Sequence, residues 1–331
     1  MSAVGGGTEE PAGAAAPWRG GTGGTRGTGA ADGPGGGPLR AVSLEGRGPD
    51  ELSELLYREW LVTNGLGGYA AGTVCGTPTR RYHGILIAAL PAPFGRTMML
   101  NELSEQVTGP DGLTWQLGAA EISERRGARG GIASGTGHLR EFRVENGLPV
   151  WRYGLDGTEI EKRVIVPQRQ NTVYVVYTLV SGPEPVRLEL FPALHFRAAD
   201  APVSSAPPAE TYTVSMAGDR YEITAGAFPA LRLAIGGRNG GFTIDQRRTG
   251  EHLYRIEESR GYEARGSLWT PGYFHFELSR AHPASLAAST DRWERITAMS
   301  PAEALAAETE RRRLLLDLAG RPGQTDAIAE L

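Results

Sequence analysis

Residues 59–84, EWLVTNGLGGYAAGTVCGTPTRRYHG, contain the densest group of side chains that could do chemistry. The end of this segment, residues 80–83, supplies two guanidinium groups, a phenol and an imidazole directly before an apolar run at residues 85–90. Guanidinium and imidazole groups hydrogen-bond hydroxyls, and aromatic rings pack on the apolar faces of sugar rings, so the cluster suits a carbohydrate ligand. A salt-bridged strand end, in which Arg81 pairs with an internal acid such as Glu102 and Tyr82 fills the core, is an equal alternative on these residues alone.

Glycines in the same segment raise the separate question of a phosphate-binding loop. Gly65, Gly67, Gly68 and Gly72 are close enough together to form one. A dinucleotide fingerprint, however, needs a strand before the glycines, a helix after them and an acidic residue about 20 positions further on. Residues 73–78 break any such helix, so the glycines predict tight turns and bulges between strands rather than a nucleotide site.

Other titratable residues give no pattern of a catalytic or metal site. Three acids are available, Glu102, Glu105 and Glu121. Each is more typical of a solvated surface charge than of a catalytic residue. The remaining histidines have no spacing that suggests a metal site; they are His138, His195, His252, His275 and His282. We therefore assign no catalytic residue, no metal and no cofactor from the sequence.

Composition limits the partners and the compartment. The net charge of −4 and the pI of about 6.0 give no basic face for a nucleic acid. The longest apolar run, residues 85–90, is far shorter than the ~20 residues that a membrane-spanning helix needs, and the N-terminus has no apolar signal region. A lone cysteine, Cys75, fits a reducing compartment. A cytoplasmic protein without nucleic-acid or membrane partners is expected.

Short strands separated by turns must position these side chains. Residues 173–179 are all strand formers, and Asp156-Gly157 between residues 151–155 and 158–166 is a strong hairpin signal. Further strands are predicted at residues 186–196, 211–216, 221–225, 231–235, 242–245, 253–257 and 273–278. Because no helices alternate with these strands, we predict a mainly β fold, a large two-sheet antiparallel sandwich over residues 39–298.

Both ends of the chain differ from the β-rich region in composition and in predicted structure. Residues 1–38 are nearly all small residues that bury too little apolar surface to order, so a disordered tail is predicted. Ser300 to Glu303 supply an N-cap, a proline and a capping-box acid, which predict a C-terminal linker helix to Leu318. Its inward residues are expected to be Leu305, Leu314, Leu315 and Leu318.

The segment of residues 59–90 resembles the signature of the N-terminal domain of bacterial and archaeal glycogen debranching enzymes. Residues 96–100 with Glu102 resemble its next strand, and Pro271-Gly272-Tyr273-Phe274 resembles a late motif of the same domain. The resemblance covers residues 50–295. It implies a β-supersandwich, a linker helix and then an (α/α)6 barrel that hydrolyses α-1,6 branch points as an amylo-α-1,6-glucosidase. Some members are also credited with 4-α-glucanotransferase activity.

The resemblance also implies where catalysis takes place. The general acid and base, carboxyl groups about 6.5–9.5 Å apart in an inverting glycosidase, belong to the barrel. Residues 299–331 are therefore interpreted as the linker helix and the start of a truncated barrel. The chain alone is expected to have no debranching activity, and whether it is an enzyme stays open. Its implied partners are the barrel and an α-glucan such as glycogen or limit dextrin.

The candidate substrate-binding residues lie in the signature segment and are expected at one end of the sandwich, facing the barrel. They are Asn64, Tyr69, Arg81, Tyr82 and His83. Two alternatives stay open: a stand-alone α-glucan-binding module, and a structural domain whose only partner is protein.

Overall fold

The computed structural model of the protein describes residues 40–43, 54–118, 122–123, 134–205 and 212–318. The predicted tail at residues 1–38, Glu121 and the residues after 318 lie outside these ranges. Within them the protein is mainly β, its strands are antiparallel, and a helix follows the last strand, which confirms the predicted class. The predicted domain limits at residues 38 and 298 stay predictions.

In the described part of the chain the strands, numbered in chain order, form three sheets. The nine-stranded sheet has the order β1 (Arg40–Ser43), β9 (Leu139–Glu145), β10 (Leu148–Leu155), β11 (Thr158–Ile165), β12 (Thr172–Ser181), β20 (Ala284–Ser289), β17 (Leu231–Gly236), β16 (Arg220–Ala225), β15 (Tyr212–Ala217). The six-stranded sheet has the order β7 (Thr114–Leu117), β6 (Glu102–Thr108), β13 (Val186–Ala193), β19 (Arg265–Leu278), β18 (Arg238–Leu253), β8 (Ile122–Ser123). The five-stranded sheet has the order β14 (Arg197–Ala198), β5 (Gly95–Leu100), β4 (Gly84–Leu90), β3 (Tyr69–Thr73), β2 (Glu59–Thr63).

The helices that the structure describes are few and mostly short. Two 3-10 helices cover Glu54–Leu56 and Ser134–His138. Three α-helices follow in the second half of the chain, α1 (Arg255–Ser259), α2 (Trp293–Ile296) and α3 (Pro301–Leu318).

Strand pairing differs from the predicted arrangement of two sheets. Among the described strands, β2 to β5 pair with one another and with β14, so the signature segment builds a separate third sheet. In the nine-stranded sheet, β20 pairs on one side with β12 and on the other with β17. These partners are far apart in sequence, and local alternation of side chains does not specify such pairings.

Local signals did predict the hairpin between β10 and β11. Leu155 lies opposite Thr158, and the two residues between them, Asp156 and Gly157, have φ values of 46° and 86°. Two successive positive φ values are those of a type I′ turn, whose twist matches the flanking strands. The predicted hairpin is confirmed.

One predicted strand, residues 253–257, is wrong. Leu253 ends β18, and the chain then forms helix α1. Tyr254 N donates to Ala264 O at 2.7 Å, and Ile256 N donates to Thr79 O at 3.0 Å. These bonds to distant residues turn the chain, and they are not visible in the local sequence.

The motif at residues 271–274 lies inside β19, where the backbone of the paired strand β18 approaches closely. Gly272 has φ 133°, and a Cβ atom there would lie 2.0 Å from Thr243 O. Only glycine fits this position, since both the backbone conformation and the space exclude a side chain.

Helix α3 begins as predicted but faces the sandwich with different residues. Glu303 N donates to Ser300 Oγ at 3.2 Å and Ser300 N donates to Glu303 Oε2 at 2.8 Å, which confirms the capping box. Ala304 and Glu308, four residues apart, are the buried positions, and Glu308 accepts a bond from Gln168 N at 2.7 Å. The helix therefore docks through a small residue and a loop-capping carboxylate.

The leucines expected to face inward behave otherwise. Leu305 is half-buried against the core, whereas Leu314, Leu315 and Leu318 are exposed. The prediction for these three residues is wrong, because the buried positions of the helix are Ala304 and Glu308.

An ion pair lies in the core near the nine-stranded sheet. Lys162 on β11 donates to Glu105 on β6, and Tyr177 OH donates to the same Glu105 oxygen at 2.7 Å. The Lys162 ammonium also lies 5.4 Å from the ring centroid of Trp151. Glu105 is thus a buried residue, not the surface charge that the sequence suggested.

Candidate functional site

The turn between β3 and β4 brings part of the predicted site together. Tyr69 on β3 donates its hydroxyl hydrogen to Tyr82 O at 3.2 Å. Arg81 and Tyr82 follow one another in the turn, so Tyr69, Arg81 and Tyr82 form one neighbourhood. Asn64 and His83 take part in other contacts.

Asn64 fixes the loop after β2. Its amide donates to Gln170 O at 2.8 Å and to Asn171 Oδ1 at 3.0 Å, and its oxygen accepts from Leu66 N at 2.9 Å. The side chain is buried, with 1% of its surface exposed. The hydrogen bonds join two loops, which supports a structural role for Asn64. A contact between Asn64 and a substrate stays a prediction.

His83 closes the turn from inside. Its Nδ1 accepts hydrogen bonds from Thr79 N at 3.1 Å and Arg80 N at 3.4 Å. With Nδ1 as an acceptor, the proton of the neutral ring is assigned to Nε2, which lies 3.4 Å from Glu59 Oε1. The buried imidazole therefore ties the turn to strand β2.

The Glu59 carboxylate contacts both this imidazole and the neighbouring guanidinium of Arg80. Arg80 Nε donates to its Oε1 at 2.5 Å. The hydrogen bond from His83 lowers the pKa of the Glu59 carboxyl to about 2, with Arg80 acting in the same direction and partial burial opposing. The carboxylate is thus charged over nearly the whole pH range in the folded protein.

A pH dependence of stability follows from this pKa. A carboxyl whose pKa is lowered by folding stabilises the fold above its ordinary value of 4.5, and this contribution disappears as the pH falls towards 2. We expect Glu59→Gln to lower the free energy of unfolding at pH 7 by about 1 kcal/mol, since solvent screens a side chain that is one-third exposed. Urea unfolding of both proteins from pH 7 down to pH 2 should show the difference shrinking below pH 4.5. A difference that does not change with pH would contradict this role.

Arg81 is held in place by a buried acid from helix α1. Arg81 N donates to Glu257 Oε1 at 3.1 Å, Arg81 Nε donates to Glu257 Oε2 at 3.0 Å, and Arg81 Nη1 donates to Asp200 O at 3.2 Å. Glu257 is 1% exposed. The alternative of an internal acid is therefore correct for Arg81, but the acid is Glu257 and not Glu102.

Two tyrosine rings flank the Arg81 guanidinium. Its central carbon lies 4.5 Å from the ring centroid of Tyr262 and 5.5 Å from that of Tyr82. Tyr82 is 39% exposed and Tyr262 is 55% exposed, so Tyr82 does not fill the core. We call Tyr82, Arg81 and Tyr262 the arginine–tyrosine surface. Sequence reasoning missed Glu257 and Tyr262, which are far from the turn along the chain.

Arg197 supports the same turn from below. Its Nη2 donates to Arg81 O at 2.6 Å, and its Nη1 donates to Ala198 O and Ala199 O at 3.0 Å each. Burial lowers the pKa of this arginine, and the Arg81 charge also lowers it. The side chain is a buried clamp that fixes the backbone carrying the arginine–tyrosine surface.

A cleft of about 530 Å³ lies on the other side of the turn. Residues of all three sheets line it, and we call it the inter-sheet cleft. Side chains that line it include Trp60, His83, Glu102, Gln106, Trp151 and His252. His83 is the one predicted site residue that reaches it. Glu102, expected on the surface, is buried in its wall.

The described residues contain neither a candidate metal site nor a membrane-spanning helix. Among them, no group of three or more His, Cys, Asp or Glu side chains is arranged to hold a metal ion. No helix in that part of the chain is both long and apolar enough to cross a membrane.

A family model and several solved structures match the chain. The family model described as "Glycogen debranching enzyme N terminal" matches residues 58–284, more than half of the chain. A putative kojibiose phosphorylase from human microbiome is 9% identical with a TM-score of 0.40, covering 84% of this chain and 38% of that chain. A bacterial glucoamylase complexed with acarbose is 10% identical with a TM-score of 0.32, covering 86% of this chain and 36% of that chain. No curated protein sequence matched.

Proposed function

The chain belongs to the family of glycogen debranching enzyme N-terminal domains, and from this we propose that it is the α-glucan-binding domain of such an enzyme. It spans less than two-fifths of the solved structures it resembles. In our proposal, a helical (α/α)6 barrel supplies the amylo-α-1,6-glucosidase chemistry, with 4-α-glucanotransferase activity as a second reaction. This domain packs against the barrel in the cytoplasm and contributes binding residues for glycogen and limit dextrin.

The arginine–tyrosine surface is the observation that carries this proposal. Tyr82 and Tyr262 are both exposed, and their rings lie within 5.5 Å of a guanidinium that is already fixed by Glu257. Ring faces pack on the apolar faces of pyranoses, and the remaining guanidinium hydrogens can donate to hydroxyls. A surface fixed before binding loses little side-chain entropy when a ligand arrives.

The ion pair between Arg81 and Glu257 is compatible with a neutral ligand. The Arg81 cation is neutralised by Glu257, with Arg81 Nε 3.0 Å from the carboxylate oxygen. A phosphate or another anion would compete with Glu257 for the guanidinium, whereas sugar hydroxyls need only the free donors. An uncharged α-glucan can therefore bind without displacing Glu257 from Arg81.

Two buried acids, Glu105 and Glu257, are unsuited to proton transfer because both are engaged by other side chains. Glu105 is engaged by Lys162 and Tyr177, and Glu257 is engaged by Arg81. A general acid and base must be free to exchange protons with substrate. We therefore propose that this domain binds glucan and leaves proton transfer to the barrel.

Removing either exposed ring tests the proposal. We expect Tyr82→Ala and Tyr262→Ala each to weaken binding of limit dextrin by about tenfold, or about 1.4 kcal/mol, because each removes one ring face. Isothermal titration calorimetry measures the affinity, and melting temperatures check the fold. Tyr57→Ala is the matched control, since Tyr57 is 62% exposed and lies outside the surface.

The outcomes separate the candidate functions. Equal affinities of all three variants and the wild type would refute the proposed surface. If the wild-type chain shows no glucan affinity, a structural domain with a protein partner replaces the binding domain. Tight binding by the chain alone, with no gain from an added barrel, would favour a stand-alone module.

A further inference from the structure

A second exposed guanidinium, that of Arg96, lies near the arginine–tyrosine surface. Arg96 is exposed at the start of β5, and its carbonyl oxygen accepts a hydrogen bond from Ala199 N at 2.9 Å. Ala199 directly follows strand β14, which contains Arg197. The Arg197 guanidinium donates to Arg81 O at 2.6 Å. The short strand β14 therefore connects the backbone at Arg96 with the backbone at Arg81.

Tyr69 provides a further link between the two arginines. Its hydroxyl donates to Tyr82 O at 3.2 Å, and Tyr82 belongs to the arginine–tyrosine surface. Burial raises the pKa of the Tyr69 phenol, and the charges of Arg96 and Arg197 act in the opposite direction. Arg96 is thus close enough to act electrostatically on a side chain that contacts Tyr82. Arg81, Tyr82, Tyr69 and Arg96 form one neighbourhood.

The loop between β2 and β3, residues 64–68, holds the Arg96 side chain. Arg96 Nε donates to Gly67 O at 2.9 Å. Because this bond uses the Nε hydrogen, a ligand would meet the Nη groups of the guanidinium. The side chain is therefore exposed and yet oriented by the backbone of the loop.

The same loop exposes an apolar side chain in a fixed position. Leu66 is 49% exposed, and its backbone N donates to Asn64 Oδ1 at 2.9 Å. Asn64 is tied in turn to residues 170–171. Gly65 has φ 72°, and a Cβ atom there would overlap the Gln168 side chain, so the two loops pack tightly. An apolar group on such a loop loses little entropy when it binds.

Arg96 and Leu66 repeat the combination found on the arginine–tyrosine surface. In both places a guanidinium, which can donate to hydroxyls, lies beside exposed apolar surface, which can pack on a pyranose face. Two copies of one recognition pattern suit a polymer of one repeating sugar. A chain that reaches both copies gains affinity, because its second contact forms within the same complex.

We propose that Arg96 and Leu66 form a second subsite of the glucan-binding surface, so that the surface prefers α-glucan chains of several glucose units to maltose. We call this pair the loop subsite. The inference rests on the proposed glucan-binding function, whose site it extends. The Arg96 Nη groups donate to hydroxyls of the chain and Leu66 packs on a sugar ring, while Asn64 is a positioning residue that holds Leu66.

The first test compares maltose with maltohexaose by isothermal titration calorimetry on the complete 331-residue chain. We expect the wild type to bind maltohexaose at least about tenfold more tightly than maltose. Arg96→Gln should remove most of this preference and change the maltose affinity less than about twofold. Wild-type affinities that are equal for the two sugars would overturn the inference.

Arg280→Gln is the matched control for Arg96→Gln. Arg280 is also an exposed arginine that donates to a backbone carbonyl, Gly182 O at 3.2 Å, but it belongs to a different turn. It should keep the wild-type preference for maltohexaose, and melting temperatures check that both variants fold. A folded Arg96→Gln protein with the same preference as Arg280→Gln would refute the loop subsite.

A second measurement leaves the loop subsite unchanged. In methyl NMR spectra of the wild-type chain, maltohexaose should shift the Leu66 signals in a saturable manner, and maltose should shift them less. Leu113, which is 51% exposed in the turn between β6 and β7, should not respond. Leu66 signals that do not move at saturating maltohexaose, or that respond to inorganic phosphate instead, would overturn the inference even if Arg96→Gln does not fold.

Tyrosine variants separate this inference from the proposed function. Tyr82→Ala combined with Tyr262→Ala should weaken the binding of both sugars. If it does so while Arg96→Gln keeps the preference for maltohexaose, the arginine–tyrosine surface stands and the loop subsite alone is refuted. If only Arg96→Gln loses affinity, the loop subsite is supported and the arginine–tyrosine surface is refuted. A wild-type chain that binds neither sugar refutes both.

Discussion

Replacing Lys162 with methionine is expected to lower the free energy of unfolding by about 3–5 kcal/mol, because it leaves the Glu105 carboxylate buried without its cation. The two side chains are only 8% and 3% exposed, so water replaces little of the missing interaction. Tyr177 OH remains as a donor to Glu105, but one neutral hydrogen bond does not compensate a full charge. Urea unfolding at pH 7 measures the loss.

Two controls show whether the buried charge causes the effect. Arg238→Met removes the cation of an exposed pair with Glu277, and it should change stability far less because solvent screens that pair. The double variant Lys162→Met with Glu105→Gln should recover part of the stability, since no unpaired charge is left at this position and Tyr177 keeps its acceptor. If Lys162→Met were as stable as the wild type, another group would have to compensate the charge of Glu105.

Changing Glu257 to glutamine is expected to reduce glucan affinity at least about tenfold and to cost about 2 kcal/mol of stability. The Glu257 carboxylate accepts hydrogen bonds from both Arg81 N and Arg81 Nε. A glutamine side chain can accept only one of these bonds, and its NH2 group faces the other donor. The guanidinium between Tyr82 and Tyr262 then loses its fixed position, which the affinity for limit dextrin reports.

Neighbouring and combined variants test whether Glu257 acts through Arg81. Glu258→Gln changes the adjacent residue, whose side chain is 56% exposed, and should alter neither property. If Glu257 only positions Arg81, adding Arg81→Gln to Glu257→Gln should cause little further loss of affinity. Unchanged affinity in a folded Glu257→Gln protein would mean that the position of Arg81 does not matter for binding.

Local sequence patterns predicted those parts of the molecule that depend on near neighbours. The Asp156-Gly157 hairpin needs only two residues with positive φ, and the start of α3 needs only Ser300 and Glu303. The turn at residues 80–83 was located because its residue types are unusual together. In each case the determining contacts lie within a few residues of one another.

Contacts between distant residues decide what the sequence did not show. Glu257 meets Arg81 across 176 positions, and the helix that carries it was predicted as a strand because its bond to Thr79 is not local. Asn64 is of a type that suits a ligand, yet it is buried by residues 170 and 171. Glu102 was expected on the surface, because no local pattern shows that distant residues bury it in the wall of a cleft.

Strand β20 also determines when the molecule can fold during its synthesis. This strand lies between β12 and β17 in the nine-stranded sheet, and Ser289 is opposite both Thr172 and Arg232. Until residue 289 has left the ribosome, β12 and β17 each keep an unpaired edge, which is where nascent chains associate wrongly. Closure across more than a hundred residues is also slow, because the entropy of a long loop is lost before its contacts form. We therefore expect the large sheet to fold only after residue 289 has been translated.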